Sequence, residues 1–313
     1  MKGSTEGEIV RAEPWVWGQH VAIAAAYGVI YQLALHVSFP QFLLTTGLRL
    51  ACLLLLPVRY WPAIALGEGL PLVENAILCA GKFGIPWAIL ASVPTVALWM
   101  PLLKPLRQRW PLHDPDGHLR MPMILAATLG AAVITAAITT VTLIAALLHT
   151  PGKWPDLSPV DFFFAYLLGA YLGALTLTPV ILALHERFRA LHDARLSIAV
   201  IWHSALFRDV LWWVLPALAA MAWLAITTQD DVVRQAARLA LLWPVLGLAW
   251  RHGWHGTAVG GMAASLALAI TAKGLLDPAT LQVQVVLAFA LSGTLMMGAR
   301  AQTLRAAMGP ERS

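Results

Sequence analysis

Charge is scarce in this chain. Asp, Glu, Lys and Arg make up 12% of its residues and apolar residues 59%, against roughly 25% charged in ordinary soluble domains. One soluble core would therefore leave most of the apolar surface in water. Cysteine is nearly absent: Cys52 and Cys79 stand 27 residues apart in apolar stretches, with no Cys-x-x-Cys pair, which argues against a disulfide framework or a cysteine metal site. The sequence also lacks a Gly-x4-Gly-Lys-Ser/Thr phosphate loop, a His-Glu-x-x-His pair and a Gly-x-Ser-x-Gly elbow. No motif supports catalysis, so a non-enzyme without cofactor or metal is expected. No ten-residue alternation suggests a membrane barrel. No Gly/Ser linker, charge block or low-complexity run divides the chain, and every loop is under about 25 residues, too short for a soluble domain between helices.

What is present is a series of apolar runs of about 16 to 25 residues, near the roughly 20 that cross a bilayer as helix. The expected fold is all-α, a polytopic transmembrane helical bundle of about 8–10 spans. Hydropathy places helices near 15–37, 42–57, 60–80, 84–103, 121–148, 162–184, 210–228, 235–250, 257–272 and 280–299. The third carries Glu68 and Glu74 and the eighth and ninth are short, so re-entrant or interfacial pieces stay open. Residues 1–14 hold three glutamates and no apolar core, unlike a cleavable signal peptide. The division is thus an N-terminal segment 1–14, a membrane domain 15–299 and a tail 300–313.

Fifteen of the 21 Lys and Arg fall on the side of the N-terminus, and Lys82, Lys153, Arg234, Arg238 and Lys273 on the other. The positive-inside rule then puts both termini in the cytoplasm. The net charge of +5 is scattered over short loops, so the partner it implies is the lipid bilayer and not nucleic acid.

The stretch "LRLACLLLLPVRYWPAIALGE", residues 48–68, sets Arg49 and Glu68 among leucines. Each lies about eight residues from the turn at 57–60, about 12 Å deep, so the two can meet as an intramembrane ion pair. A lone charge at that depth costs about 2.5–3.5 kcal/mol. The competing reading has Arg49 snorkelling and Glu68 on a helix that never crosses fully. Tyr60, Trp61 and Pro62 suit a cytoplasmic turn, with the aromatic rings as interface anchors, and the same reading covers Trp15, Trp17, Trp99, Trp110, Trp154, Trp212 and Trp213.

In "GAYLGALTLTPV", Gly169 and Gly173 form a Gly-xxx-Gly packing face, and Pro179 permits a break near Thr176 that would expose carbonyls. "RHGWHG", 251–256, offers His252 and His255, but its glycines indicate a turn and no acid nearby completes a metal site. It echoes "RYWPAIALGEG" as Arg and Trp in a turn before a small-residue helix. "HERFRALHD" imitates a phosphoacceptor box around His192, yet the chain lacks the spaced glycines and asparagine of an ATP-binding domain, and a solvated basic turn is the better reading.

The order of "GLRLACLLLLPVRYWPAIALGE", "YLGALTLTPVILAL" and "WPVLGLAWRHGWHGTAVGG" resembles the membrane-associated sensor 1 family, the N-terminal membrane domain of many bacterial histidine kinases and diguanylate cyclases. The resemblance covers about 15–305 and singles out Gly47, Arg49, Tyr60, Trp61, Pro62, Glu68, Pro179, Trp250, Gly253 and Gly256. It implies a non-catalytic sensory module of two-component or related signal transduction, working through its last helix on a histidine kinase, a cyclase or a membrane-protein partner. Sensors with kinase outputs generally act as dimers, which leaves a homodimer among the possible partners and the oligomeric state open. The text after 300 ends where such an output would begin, which reads either as a sensor acting in trans or as part of a longer protein. The rival expectation is a small-molecule membrane transporter, suggested by proline-interrupted helices and intramembrane charge.

Overall fold

In lipid a backbone must satisfy its own hydrogen bonds, which leaves helices as the default for apolar segments such as these. The computed structural model describes residues 6–39, 41–114, 117–149, 158–190, 204–272, 274 and 277–307. Their regular elements are α1 (Glu6–His36), α2 (Leu44–Leu55), α3 (Trp61–Phe83), α4 (Ile85–Ala91), α5 (Thr95–Arg109), α6 (Met121–His149) and α7 (Pro159–Ala190). Then come α8 (Ala205–Thr227), which carries a π-helical turn at Val210–Val214, α9 (Asp231–Ala240), α10 (Leu242–Thr271) and α11 (Pro278–Ala307). The all-α bundle expected from hydropathy is what is found. The helix expected from 15 already begins at Glu6.

Six stretches are long and apolar enough to cross a bilayer, and the pair α4 and α5, bent by 41°, makes a seventh. The longest of the six, Asp231–Thr271, is folded back on itself. Gly253 adopts φ 61° and ψ −142°. Arg238 Nη2 donates to the Thr271 carbonyl, and a Cβ on Gly260 would sit 3.4 Å from Val245 Cα. In a straight helix those pairs would lie about 50 and 22 Å apart. The stretch is therefore two antiparallel limbs, 231–252 and 254–271, of about 33 and 27 Å, each matching a hydrocarbon layer of roughly 30 Å. Counting both limbs gives eight candidate crossings among the described residues. α2, with 12 residues, and the less apolar α1 stand beside them.

The reversal needs glycine three times. Gly253 is in a conformation L residues rarely adopt, a Cβ on Gly256 would lie 2.2 Å from Leu248 O, and one on Gly298 of α11 would lie 2.5 Å from Trp254 N. Gly253→Ala is expected to cost about 1–3 kcal/mol, read as a lowered thermal midpoint in detergent. An unchanged midpoint would show that the turn relaxes freely.

Buried apolar side chains form two cores. One, around Leu50, Trp61, Trp99 and Ala127, joins α1, α2, α3, α5 and α6. The other, around Leu172, Leu248, Leu268 and Leu291, joins α7, α10 and α11. α2 links them by lying against α7: Leu43 N donates to Gly169 O, and Thr178 Oγ1 to Gly47 O. The break considered near Thr176 is not there. α7 runs through Pro179, and Thr176 Oγ1 donates back to Leu172 O at 2.7 Å. The breaks lie at Ser92–Pro94 and at Gly253 instead, where the backbone leaves helical geometry.

Candidate functional site

α1 and α3 run parallel in tight contact. Gly67 sits against the Ala24 carbonyl, where a Cβ would lie 2.4 Å away, and Gly28 against the Gly67 carbonyl. Small residues let the backbones approach this closely, and the approach sets Tyr27 and Tyr31, one helical turn apart, over the space between α2 and α3. α2 brings Arg49 into that space and α3 brings Glu68, about 10 Å along from Trp61.

Arg49 Nε donates to Glu68 Oε2 at 2.8 Å, with side chains 7% and 0% exposed. The same oxygen accepts from Tyr27 OH at 3.4 Å, and Arg49 Nη2 donates to Tyr31 OH at 3.1 Å. The guanidinium lies over the Tyr31 ring at 5.3 Å and the Trp99 ring at 5.8 Å.

The other carboxylate oxygen has a different task. Pro94 cannot continue the helix from α4, so the chain restarts at Thr95 with unsatisfied N–H groups in the membrane interior. Glu68 Oε1 accepts from Thr95 N at 2.8 Å and from Val96 N at 3.4 Å. No side chain next to the start of α5 caps it, so a carboxylate from α3 does, at the end of the helix where its dipole favours negative charge. One buried carboxylate thus ties α1, α2, α3 and α5 together.

The turn below is held by a second arginine. Arg107 Nη1 donates to the carbonyls of Leu53 and Leu56, the orphan acceptors at the end of α2, and its guanidinium lies 5.7 Å from the Trp61 ring.

The remaining motif positions have separate settings. Gly47 packs on Gly173, where a Cβ would come within 2.4 Å of the Gly173 carbonyl. Tyr60 OH donates to Gln19 Oε1 at 2.9 Å, Pro62 is the second residue of α3, and Trp250 is 91% exposed. Reading every tryptophan near a span end as an interface anchor needs correction. Trp17, Trp212 and Trp250 are exposed, but Trp61 and Trp99 are 2% and 0% exposed and pack in the core beside arginines. His252 Nε2 is 2.8 Å from Asp209 Oδ2, next to the π turn of α8, while His255 faces Glu186 of α7 at 3.9 Å. The two histidines of "RHGWHG" therefore go to different helices. Trp154 and His192 lie outside the described residues.

Sequence reasoning missed Tyr27, Tyr31, Trp99 and the α5 N-terminus. The i, i+4 tyrosines and the Ser-Val-Pro-Thr break were the available signals. It also placed Arg238 among loop charges, whereas that side chain is 1% exposed.

The MASE1 model, membrane-associated sensor 1, matches residues 18–305. The chain is 27% identical over 291 residues to the signal transduction histidine-protein kinase/phosphatase UhpB of Salmonella typhimurium, over 90% of this chain and 52% of UhpB. It therefore spans about half the length of that curated relative. No solved structure matches it. The apolar helices and the family match describe a multi-pass inner-membrane protein whose domain is sensory in signal transduction and not catalytic. With the match running through nearly every helix described above, the chain belongs to the membrane-associated sensor 1 family.

Proposed function

We propose that this domain senses a ligand or a neighbouring membrane protein and passes the change through α11 to a kinase or cyclase output, in cis or in trans, on the cytoplasmic side with both termini. The observation that carries the reading is Glu68 shared between a buried arginine and the start of a half-helix. The carboxylate has discrete partners on three helices besides its own, so a shift of any one helix redistributes its bonds, and buried packing of this kind switches between arrangements more readily than it deforms. Arg49, Glu68, Tyr27, Tyr31 and Trp99 are the residues we assign to that switch. Gly47 and Gly173 relay it to α7, and α7 packs against α10 and α11.

The test is a chimera with a kinase output. Arg49→Leu combined with Glu68→Leu keeps the site uncharged, and its output is expected to stop responding to stimulus while the protein remains in the membrane. A full response from the double variant overturns the assignment. The broken pair α4 and α5 also favours a transporter reading, since half-helix ends of this type hold substrates in transporters. Uptake by proteoliposomes containing this protein alone is the outcome that reading requires.

A further inference from the structure

At the opposite end from the Arg107 turn, α9 and the start of α11 border an open cavity of about 740 Å³, within the size range of small-molecule sites. Its polar lining is Arg234, Arg238, Asp231, Asp277, Gln235 and Gln282. This is a built site. Arg238 is 1% and Arg234 9% exposed along their side chains, although guanidinium groups are almost never buried without partners.

Each arginine is held in the same way, by one carboxylate and one backbone carbonyl. Arg238 donates to Asp277 Oδ2 at 3.1 Å and to Thr271 O, and Arg234 donates to Asp231 Oδ1 and to Thr228 O. Arg234 Nε, Arg238 Nε and Gln235 Oε1 are buried without a hydrogen-bond partner among the described residues. Those three atoms are sealed inside the wall, and what the cavity lining presents is two positive and two negative side chains.

That balance decides the ligand chemistry. A simple anion entering would displace an aspartate from its arginine and leave the aspartate without a partner, and a simple cation would strand the arginine. Stranding either buried arginine, or Asp277 at 19% exposure, is costly, whereas Asp231, 89% exposed, is freed at little cost. A molecule carrying both signs exchanges each internal pair for two new ones, its carboxylate on a guanidinium and its ammonium on an aspartate.

The geometry points to this cavity as a binding site for a small zwitterion, an amino acid or short peptide, held by Arg234 and Arg238 at its carboxylate and by Asp231 and Asp277 at its ammonium. Val232, Ala236 and Leu239 supply the apolar wall. Asp277 also begins α11: it accepts from Ala279 N at 3.2 Å and from Thr280 Oγ1 at 2.6 Å. A ligand that takes hold of Asp277 thus acts directly on the first turn of the last helix.

The experiment uses the whole chain in nanodiscs and reads the thermal midpoint while each standard L-amino acid, and separately L-alanyl-L-alanine, is titrated in. A saturable rise is expected for at least one of these zwitterions, by the linkage of binding to stability. Acetate, inorganic phosphate and ethylammonium are expected to produce none. Arg234→Gln is expected to abolish the rise. If that variant does not fold, the exposed Asp231→Asn serves, with binding weakened roughly tenfold or more.

The proposal is overturned if no zwitterion gives a saturable rise, if a single-sign ion reproduces it, or if Asp231→Asn binds as the parent does. Binding is read without any output domain, so a negative result leaves the sensory reading standing.

Discussion

Glu68→Leu is expected to destabilise the protein by roughly 3–5 kcal/mol, the usual cost of removing one partner from a buried ion pair. Three losses combine. Arg49 keeps its charge at 7% side-chain exposure with only Tyr31 OH as a side-chain hydrogen-bond partner, Thr95 and Val96 lose the acceptor for their N–H groups, and Tyr27 OH loses its bond. Adding Arg49→Leu removes the stranded charge. The double variant is therefore expected to recover most of the loss, because well-packed apolar replacements of a buried pair are often neutral or better. A residue of about 1–3 kcal/mol should persist, since the α5 N–H groups remain unsatisfied. Glu68→Gln, which keeps an acceptor for them, should fall between. Reversible unfolding in mixed micelles across the three variants checks the order. A Glu68→Leu protein as stable as the parent would mean that this carboxylate does not hold the four helices.

Gly173→Ala is expected to be the most damaging glycine-to-alanine change among the described residues. A Cβ there would lie 2.0 Å from the Leu43 carbonyl oxygen and 3.1 Å from Leu43 N, and the facing Gly47 has its own limit at 2.4 Å from the Gly173 carbonyl. These are backbone atoms, so no rotamer change makes room, and α2 must move off α7. That movement weakens the bonds from Leu43 N to Gly169 O and from Thr178 Oγ1 to Gly47 O. The expected cost is roughly 3 kcal/mol or more, at the upper end for overpacking. Gly293→Ala on α11 is the control: nothing lies within 4 Å of its added Cβ, and alanine is the better helix former by about 1 kcal/mol. Comparing the two midpoints separates backbone contact from helix propensity. Equal midpoints would show that α2 and α7 are free to separate.

Arg49 and Glu68 could be paired by counting because both lie on helices adjoining one turn, and 1.5 Å per residue converts sequence distance into depth. The same counting could not reach Tyr27, Tyr31 or Thr95. Those sit on helices whose placement depends on Gly28 and Gly67 touching and on where Pro94 restarts the chain, both matters of three-dimensional packing. The hydropathy pattern separated 235–250 from 257–272, and the reversal at Gly253 gives that gap its physical cause. Trp61 and Trp99 show the opposite limit. Tryptophan near a span end is as compatible with a headgroup as with a core, and only neighbours such as Arg107 and Arg49 decide between them.

Arg234 and Arg238 read as ordinary loop charges, because charge in a sequence carries no record of burial. They became cavity walls when the limb 254–271 folded back and brought Thr271 and Asp277 to the side of α9.

By itself the sequence determined the class: with so little charge and so many apolar runs, only a membrane bundle lets each segment satisfy its own backbone. It also determined the family, through motifs whose glycines and prolines shape local turns. Beyond the one pair that flanks a single turn, which buried charges meet, which tryptophans leave the lipid and where a cavity opens were decided by tertiary structure. The reason is that electrostatic pairing and desolvation depend on distances between helices, and a linear order of residues does not contain those distances.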